Sequence, residues 1–234
     1  METSPDIYDG KAPRELAFYT GAEAARIVRV RPGTLRAWAF GRSYPTADGS
    51  KRWPPLIRAA SPKRRRLSFA NLVELHVLSV LRGRRVRVDR IRAATRFIRD
   101  AMHTNHPLAD VDTHTDCVHV YVEYLGKLIS ASSSEVVLRP MVERHLERIE
   151  RDEQGLAARL YPIVRQDGSR ERSILIDPRR HFGRPVLASA NIETAAIADR
   201  FLAGDSTDEL AADFAVEASE IEDAVRFEAL RRAA

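Results

Sequence analysis

The stretch Tyr19-Thr20-Gly21-Ala22-Glu23-Ala24-Ala25-Arg26-Ile27-Val28-Arg29-Val30-Arg31-Pro32-Gly33-Thr34-Leu35-Arg36-Ala37-Trp38-Ala39-Phe40 decides the fold of the N-terminal part. Thr20 with Glu23 three residues later reads as a capping box, in which hydroxyl and carboxylate each accept an otherwise orphaned backbone N–H. Ala24, Ala25, Ile27 and Val28 supply the apolar side of a short helix. Arg29-Val30-Arg31 breaks it. Pro32 suits the first position of a second helix, where its missing N–H costs nothing. That helix runs through Leu35, Arg36 and Trp38 to about Phe40. Two short helices joined by a tight turn predict a helix-turn-helix, whose second helix matches the width of the DNA major groove. An ordinary αα-hairpin shows the same pattern.

Charge separates the two readings. The net charge of +5 over 234 residues hides a split. Arg26 to Asp100 holds 20 Arg or Lys against 4 Asp or Glu, net +16; the rest of the chain is acidic, with net −8 from Ala101 to Ala234. A general arginine bias, with only four Lys in the chain, does not explain why acids avoid one segment. A field of this sign attracts polyanions. Around the second helix lie Arg29, Arg31, Arg36 and Arg42, and the run Lys63-Arg64-Arg65-Arg66 follows where a wing is expected. Arg36, Arg42 and the wing bases are expected on phosphates, since most protein–DNA hydrogen bonds go to the backbone. Base readers are sought at Arg31, Gly33 and Ala37, with Thr34 on the same helix, whereas Leu35 and Trp38 are expected to pack inward.

Outward from this stretch, four prolines (Pro45, Pro54, Pro55 and Pro62) predict a loop over 41–62. Leu56 to Arg58 and Arg65 to Leu67 are expected to pair as the hairpin, turning at Ala60-Ser61-Pro62-Lys63. Ser68 caps a helix to about Arg82, and Asp89 opens another carrying Ile91, Ala94 and Ile98. Residues 103–115 read as a linker. Val118, Val120 and Val122 alternate as a strand, Pro140 starts a helix with Val142, Leu146 and Ile149, and Leu160 to Arg165 with Ser173 to Ile176 suggests a hairpin. The end is helical. Thr194 caps a helix that stops at Gly204, Ser206 and Glu209 form a second capping box, and the last helix carries Ile221, Val225 and Leu230.

Residues Tyr19 to Ala94 resemble the DNA-binding head of the MerR family. Pro32-Gly33-Thr34-Leu35-Arg36-Ala37-Trp38 resembles its recognition helix, and Phe69-Ala70-Asn71-Leu72 with Ile91-Arg92-Ala93-Ala94 resembles its third and fourth helices. The resemblance implies that Arg36 contacts the DNA backbone. Ala37 and Ala39 depart from the aromatic and Glu common in the family. The C-terminal part resembles a small domain found in many VapB-like antitoxins, through Ile176-Asp177-Pro178, Gly183-Arg184-Pro185-Val186, Glu209-Leu210-Ala211 and Ile221-Glu222-Asp223-Ala224-Val225. Ser189-Ala190 and Glu193 depart from its pattern. The segment 116–162 resembles the connection between the two domains.

The expected fold is mainly α with short β hairpins (α+β). It divides into a tail (1–18), a winged helix-turn-helix (19–103), a connecting region (104–172) and a C-terminal helix-turn-helix-like domain (173–234). Glu193 to Ala234 holds 11 acids and 4 bases, a face that repels phosphate and attracts a basic protein. The resemblance implies a PIN-like ribonuclease toxin there, with Glu209, Asp213, Glu217, Glu220, Glu222 and Asp223 as the candidate contacts. The reading is thus a cytoplasmic, homodimeric antitoxin that binds operator DNA; the alternative is a stand-alone regulator whose C-terminal module only dimerises.

Enzyme chemistry finds little support. His103, His106, His114, Cys117 and His119, with Asp110, Asp112 and Asp116, are zinc-ligand types at no standard spacing, so a polar linker is the better reading and no metal or cofactor is expected. Cys117 has no nominated base, and neither a phosphate-binding loop nor a dinucleotide glycine pattern occurs. No apolar run reaches bilayer length, and the polar start, Met1 to Gly10, is no secretory signal.

Overall fold

The computed structural model describes residues 10–46, 49–83, 86–110, 145–163 and 172–233. Its helices are α1 (Gly21–Ile27), α2 (Pro32–Phe40), α3 (Phe69–Gly83), α4 (Val88–Met102), α5 (Thr194–Ala203), α6 (Thr207–Phe214) and α7 (Ala218–Ala233). Antiparallel pairs join β1 (Tyr19–Thr20) to β4 (Arg66–Leu67), β2 (Arg42–Thr46) to β3 (Gly49–Trp53), β5 (Ile149–Arg151) to β6 (Ala157–Leu160), and β7 (Ile174–Leu175) to β8 (Val186–Leu187). The fold is therefore α+β, as expected.

The capping chemistry forms as read. Thr20 Oγ1 accepts from Glu23 N at 3.1 Å while Glu23 Oε2 accepts from Thr20 N at 2.7 Å. Ser206 and Glu209 repeat this at α6. Ser68 opens α3 reciprocally with Asn71. Thr194 is not the cap of α5: Glu193 takes that place, and the Thr194 hydroxyl, fully buried, bonds to Glu228 Oε1 at 2.6 Å instead.

α3 is the spine of the head. Leu72, Leu75, Leu78 and Leu81 are sealed against Leu35, Ile57, Leu67 and Ile91. Two expectations fail around it. Residues 10–18 are no free tail: a 3-10 turn at Pro13–Glu15 buries Arg14, which pairs with Asp110 at 2.6 Å. The start of the expected linker is also packed, with Leu108 and Ala109 buried. Between these segments His106 binds Glu15 through Nε2 at 2.8 Å and wholly buried Glu74 through Nδ1 at 3.0 Å.

Ile149 lies on β5 rather than on a helix. β6 pairs with β5, and Leu160 and Ile176 exchange backbone hydrogen bonds at 2.9 Å, which carries the pairing on toward β7. β7 itself pairs with β8, so of the expected hairpin between 160–165 and 173–176 the described residues show the Leu160–Ile176 bridge. Leu146, Ile149, Ala157, Leu160 and Ile176 belong to the head's core. The C-terminal module has its own: Ile174, Leu187, Ile197, Leu210, Ile221, Ala224 and Phe227. The expected strand at Val118 to Val122, the helix start at Pro140, and His114, Cys117 and His119 lie outside the described residues.

Candidate nucleic-acid interface

α2 divides into two faces because its apolar residues recur at helical spacing. Leu35, Trp38 and Ala39 are buried, whereas Arg31, Gly33, Thr34 and Arg36 are exposed and Ala37 is half-exposed. Arg31, at the N-cap, accepts the N–H groups of Thr34 and Leu35 at its carbonyl, which starts the helix without a side-chain cap. A Cβ built on Gly33 meets nothing within 4 Å, so no internal packing demands glycine there. The exposed face thus presents a smooth stretch of backbone between two arginines, the shape a recognition helix needs to approach base edges and phosphates together.

The wing is not where the sequence suggested. It is the β2–β3 ribbon, paired in the register Arg42↔Trp53, Ser43↔Arg52 and Tyr44↔Lys51. Pro45 sits within β2 opposite Ser50. A two-stranded ribbon consists of edge strands only, so a proline can be tolerated where a central strand would reject it. Both strands are largely solvent-exposed, and they add Lys51 and Arg52 to Arg42. Those two bases were missed in sequence; the signal available was the alternation of Arg42-Ser43-Tyr44 against Lys51-Arg52-Trp53. Gly41, at φ +80°, makes the corner from α2 into the ribbon. Behind the ribbon, Leu56 N donates to Trp38 O at 2.7 Å, and Arg92 donates to the carbonyls of Pro54 and Pro55 at 2.9 and 3.0 Å.

The run Lys63-Arg64-Arg65-Arg66 forms a tight turn rather than a hairpin tip. Ser61 and Arg66 exchange backbone hydrogen bonds, and Arg65 adopts φ +51°. The side chains of Lys63, Arg64 and Arg65 stay exposed and make no hydrogen bond or ion pair among the described residues. Arg66 is engaged: its guanidinium donates to Phe18 O at 3.3 Å. Arg29 also departs from expectation. It occupies the left-handed region at φ +54°, and its guanidinium lies 6.0 Å from the centre of the Phe227 ring on α7. Burial lowers the pKa of this guanidinium. Arg29 therefore lies against the C-terminal module while remaining solvent-exposed.

The acidic candidates sort in the same way. Asp223 is 3% exposed and accepts from Ser173 Oγ at 2.6 Å, which removes it from any partner surface. Glu220 accepts from Ser189 Oγ, Asp213 pairs with Arg200 at 2.7 Å, and Glu209 serves the α6 cap. Glu209, Asp213, Glu217 and Glu222 remain exposed. Among the described residues no group of three His, Cys, Asp or Glu side chains is placed to hold a metal ion, and no helix is long and apolar enough to cross a membrane.

This arrangement defines a helix-turn-helix head joined to a small helical module, and family comparison gives the same division. Residues 17–95 match the profile described as "Putative DNA-binding HTH domain", and residues 174–227 match DUF433, a family of unknown function. The chain is similar to "Putative antitoxin VapB45" of Mycobacterium tuberculosis, with 27% identity over 228 residues covering 90% of this chain and 93% of that protein. It is 26% identical over 219 residues to the uncharacterised protein Rv2308 of the same organism, covering 89% of each. The crystal structure of Rv2018 from Mycobacterium tuberculosis shares the fold, with a TM-score of 0.66 at 24% identity, covering 90% of this chain and 97% of that one. The chain thus has an N-terminal helix-turn-helix and a C-terminal DUF433 match, and along most of its length it is similar to a putative antitoxin.

Proposed function

We propose that this chain is a DNA-binding antitoxin that represses its own operon and neutralises a PIN-like ribonuclease toxin. The observation that carries the reading is the set of exposed bases formed by Arg31 at the N-cap and Arg36 on α2 with Arg42, Lys51 and Arg52 on the wing, in a chain similar to an antitoxin along most of its length. Recognition falls to the α2 face, with the wing and the 63–65 turn gripping phosphates on either side. A homodimer would present two such heads to two half-sites.

The toxin is assigned to the C-terminal module. Glu217 and Glu222 are exposed carboxylates there, and Leu202, 66% exposed, with Phe201 adds apolar surface on α5. Acid beside exposed apolar side chains suits a basic protein better than it suits DNA.

The decisive experiment is fluorescence anisotropy with DNA from upstream of the chain's own gene, at several salt concentrations. Wild type binds more tightly than to scrambled DNA, and binding weakens with salt. Arg36→Ala loses about tenfold in affinity and lowers the salt slope by about one. Equal binding to scrambled DNA would overturn operator recognition. Copurification with a small nuclease tests the second half. Retention of the complex after deletion of 183–234 would reject the C-terminal assignment.

A further inference from the structure

Between the recognition helix, the wing and the start of α4 lies a cavity of about 430 Å³. Its apolar walls include Trp38 from α2, Tyr44 and Trp53 from opposite strands of the wing, and Val88 from α4. The register explains the pairing: residues 42, 44, 51 and 53 share one face of the ribbon, and that face turns toward α2. The Tyr44 and Trp53 rings meet edge to face at 6.1 Å, which holds both in the wall.

Two basic residues, Arg42 and Arg92, line the same space, and none of the lining residues is acidic. Arg92 gives two donors to the neutral carbonyls of Pro54 and Pro55 and makes no ion pair among the described residues. The Arg42 side chain is exposed and makes no hydrogen bond or ion pair among the described residues. A volume in the range of small-molecule sites, aromatic walls and convergent cations without counter-charge together specify an occupant that is flat, apolar and negatively charged. A DNA phosphate alone fits less well: exposed arginines suffice for it, and it gains nothing from three aromatic rings.

We infer that this cavity is a binding site for a small aromatic carboxylate, seated with its ring between Trp38 and Trp53 and its carboxylate on Arg42. The site joins the two elements assigned to DNA contact, but its occupancy does not rest on that assignment.

The chain contains two tryptophans and both line the cavity, so fluorescence excited selectively at tryptophan reports on it. The test titrates the full chain, without DNA, with benzoate and separately with its neutral isostere benzamide. Benzoate is expected to change Trp emission saturably, with benzamide binding about tenfold weaker or more, the worth of a hydrogen bond to a charged group. Arg42→Ala, on an exposed strand and checked for unchanged circular dichroism, should lose the preference for benzoate. Arg36→Ala, outside the cavity, should keep it. A non-saturable response, equal affinity for benzamide, or an unaltered preference in Arg42→Ala would overturn the site. Failure of operator binding would leave this result standing, and failure here would leave operator binding standing.

Discussion

Tyr19 is the residue on which the two halves of the molecule meet. It is buried on β1, and its hydroxyl donates to Gly183 O at 2.7 Å. Gly183 ends a run of three residues, His181, Phe182 and Gly183, at φ 46°, 53° and 76°. Left-handed backbone at two non-glycine residues in succession is costly and persists only where surrounding contacts over-determine it. A Cβ on Gly183 would stand 2.1 Å from the Tyr19 hydroxyl oxygen, on top of the conformational penalty. Gly183→Ala is therefore expected to lower stability by roughly 2–4 kcal/mol, whereas Tyr19→Phe, which keeps the ring and strands one carbonyl, costs about 1–3 kcal/mol. Urea unfolding of the two variants checks the order, and a smaller loss for Gly183→Ala would mean that the turn relaxes freely.

At the scale of elements, the wing depends on its corner. Gly41 sits at φ +80°, and a Cβ there would approach Trp53 O to 2.6 Å. Gly41→Ala should displace the ribbon while sparing the helices. The expected result is DNA affinity reduced by about tenfold with unchanged helical circular dichroism, because only the phosphate contacts of the wing are misplaced. Unchanged DNA affinity would show that the ribbon carries none of the binding.

The same elements show what was legible in sequence. Both capping boxes and the Pro32 helix start could be read because their partners lie within three or four residues. The inward placement of Leu35 and Trp38 followed from their large apolar side chains. The wing was not legible, since proline chemistry at Pro45, Pro54 and Pro55 reads as loop unless one knows that the strand has a free edge. For Arg66 and Arg29 only the charge was visible in sequence, since the groups they touch, Phe18 O and the Phe227 ring, lie 48 and 198 positions away. Asp223 misled for the same reason: its partner, Ser173, is 50 residues distant.

For the whole molecule, two buried histidines set opposing limits on pH stability. Burial, reinforced by the charges of His145 and Arg148, pushes His76 down to about 3. Its unfolded form titrates near 6.5, so stability falls as pH drops from about 6.5 toward 3. At His106 burial also opposes the charge, but the hydrogen bonds and charges of Glu15 and Glu74 more than offset it and raise the pKa to about 9. A pKa above the unfolded value contributes stability that is complete below about 6.5 and lost as pH rises through 9. The urea midpoint should peak near neutrality, and His106→Gln should flatten the alkaline limb. An alkaline limb of the same depth in that variant would clear His106 of any part in it.

The Tyr19–Gly183 hydrogen bond spans 164 residues. A chain leaving the ribosome at about 5–20 residues per second carries a finished Tyr19 for on the order of ten seconds or more before its acceptor exists. During that interval the inner flank of α1, later covered by α7, faces solvent. The nascent head is thus exposed to proteases and chaperones on the side opposite to completion, and the last quarter of the chain closes it.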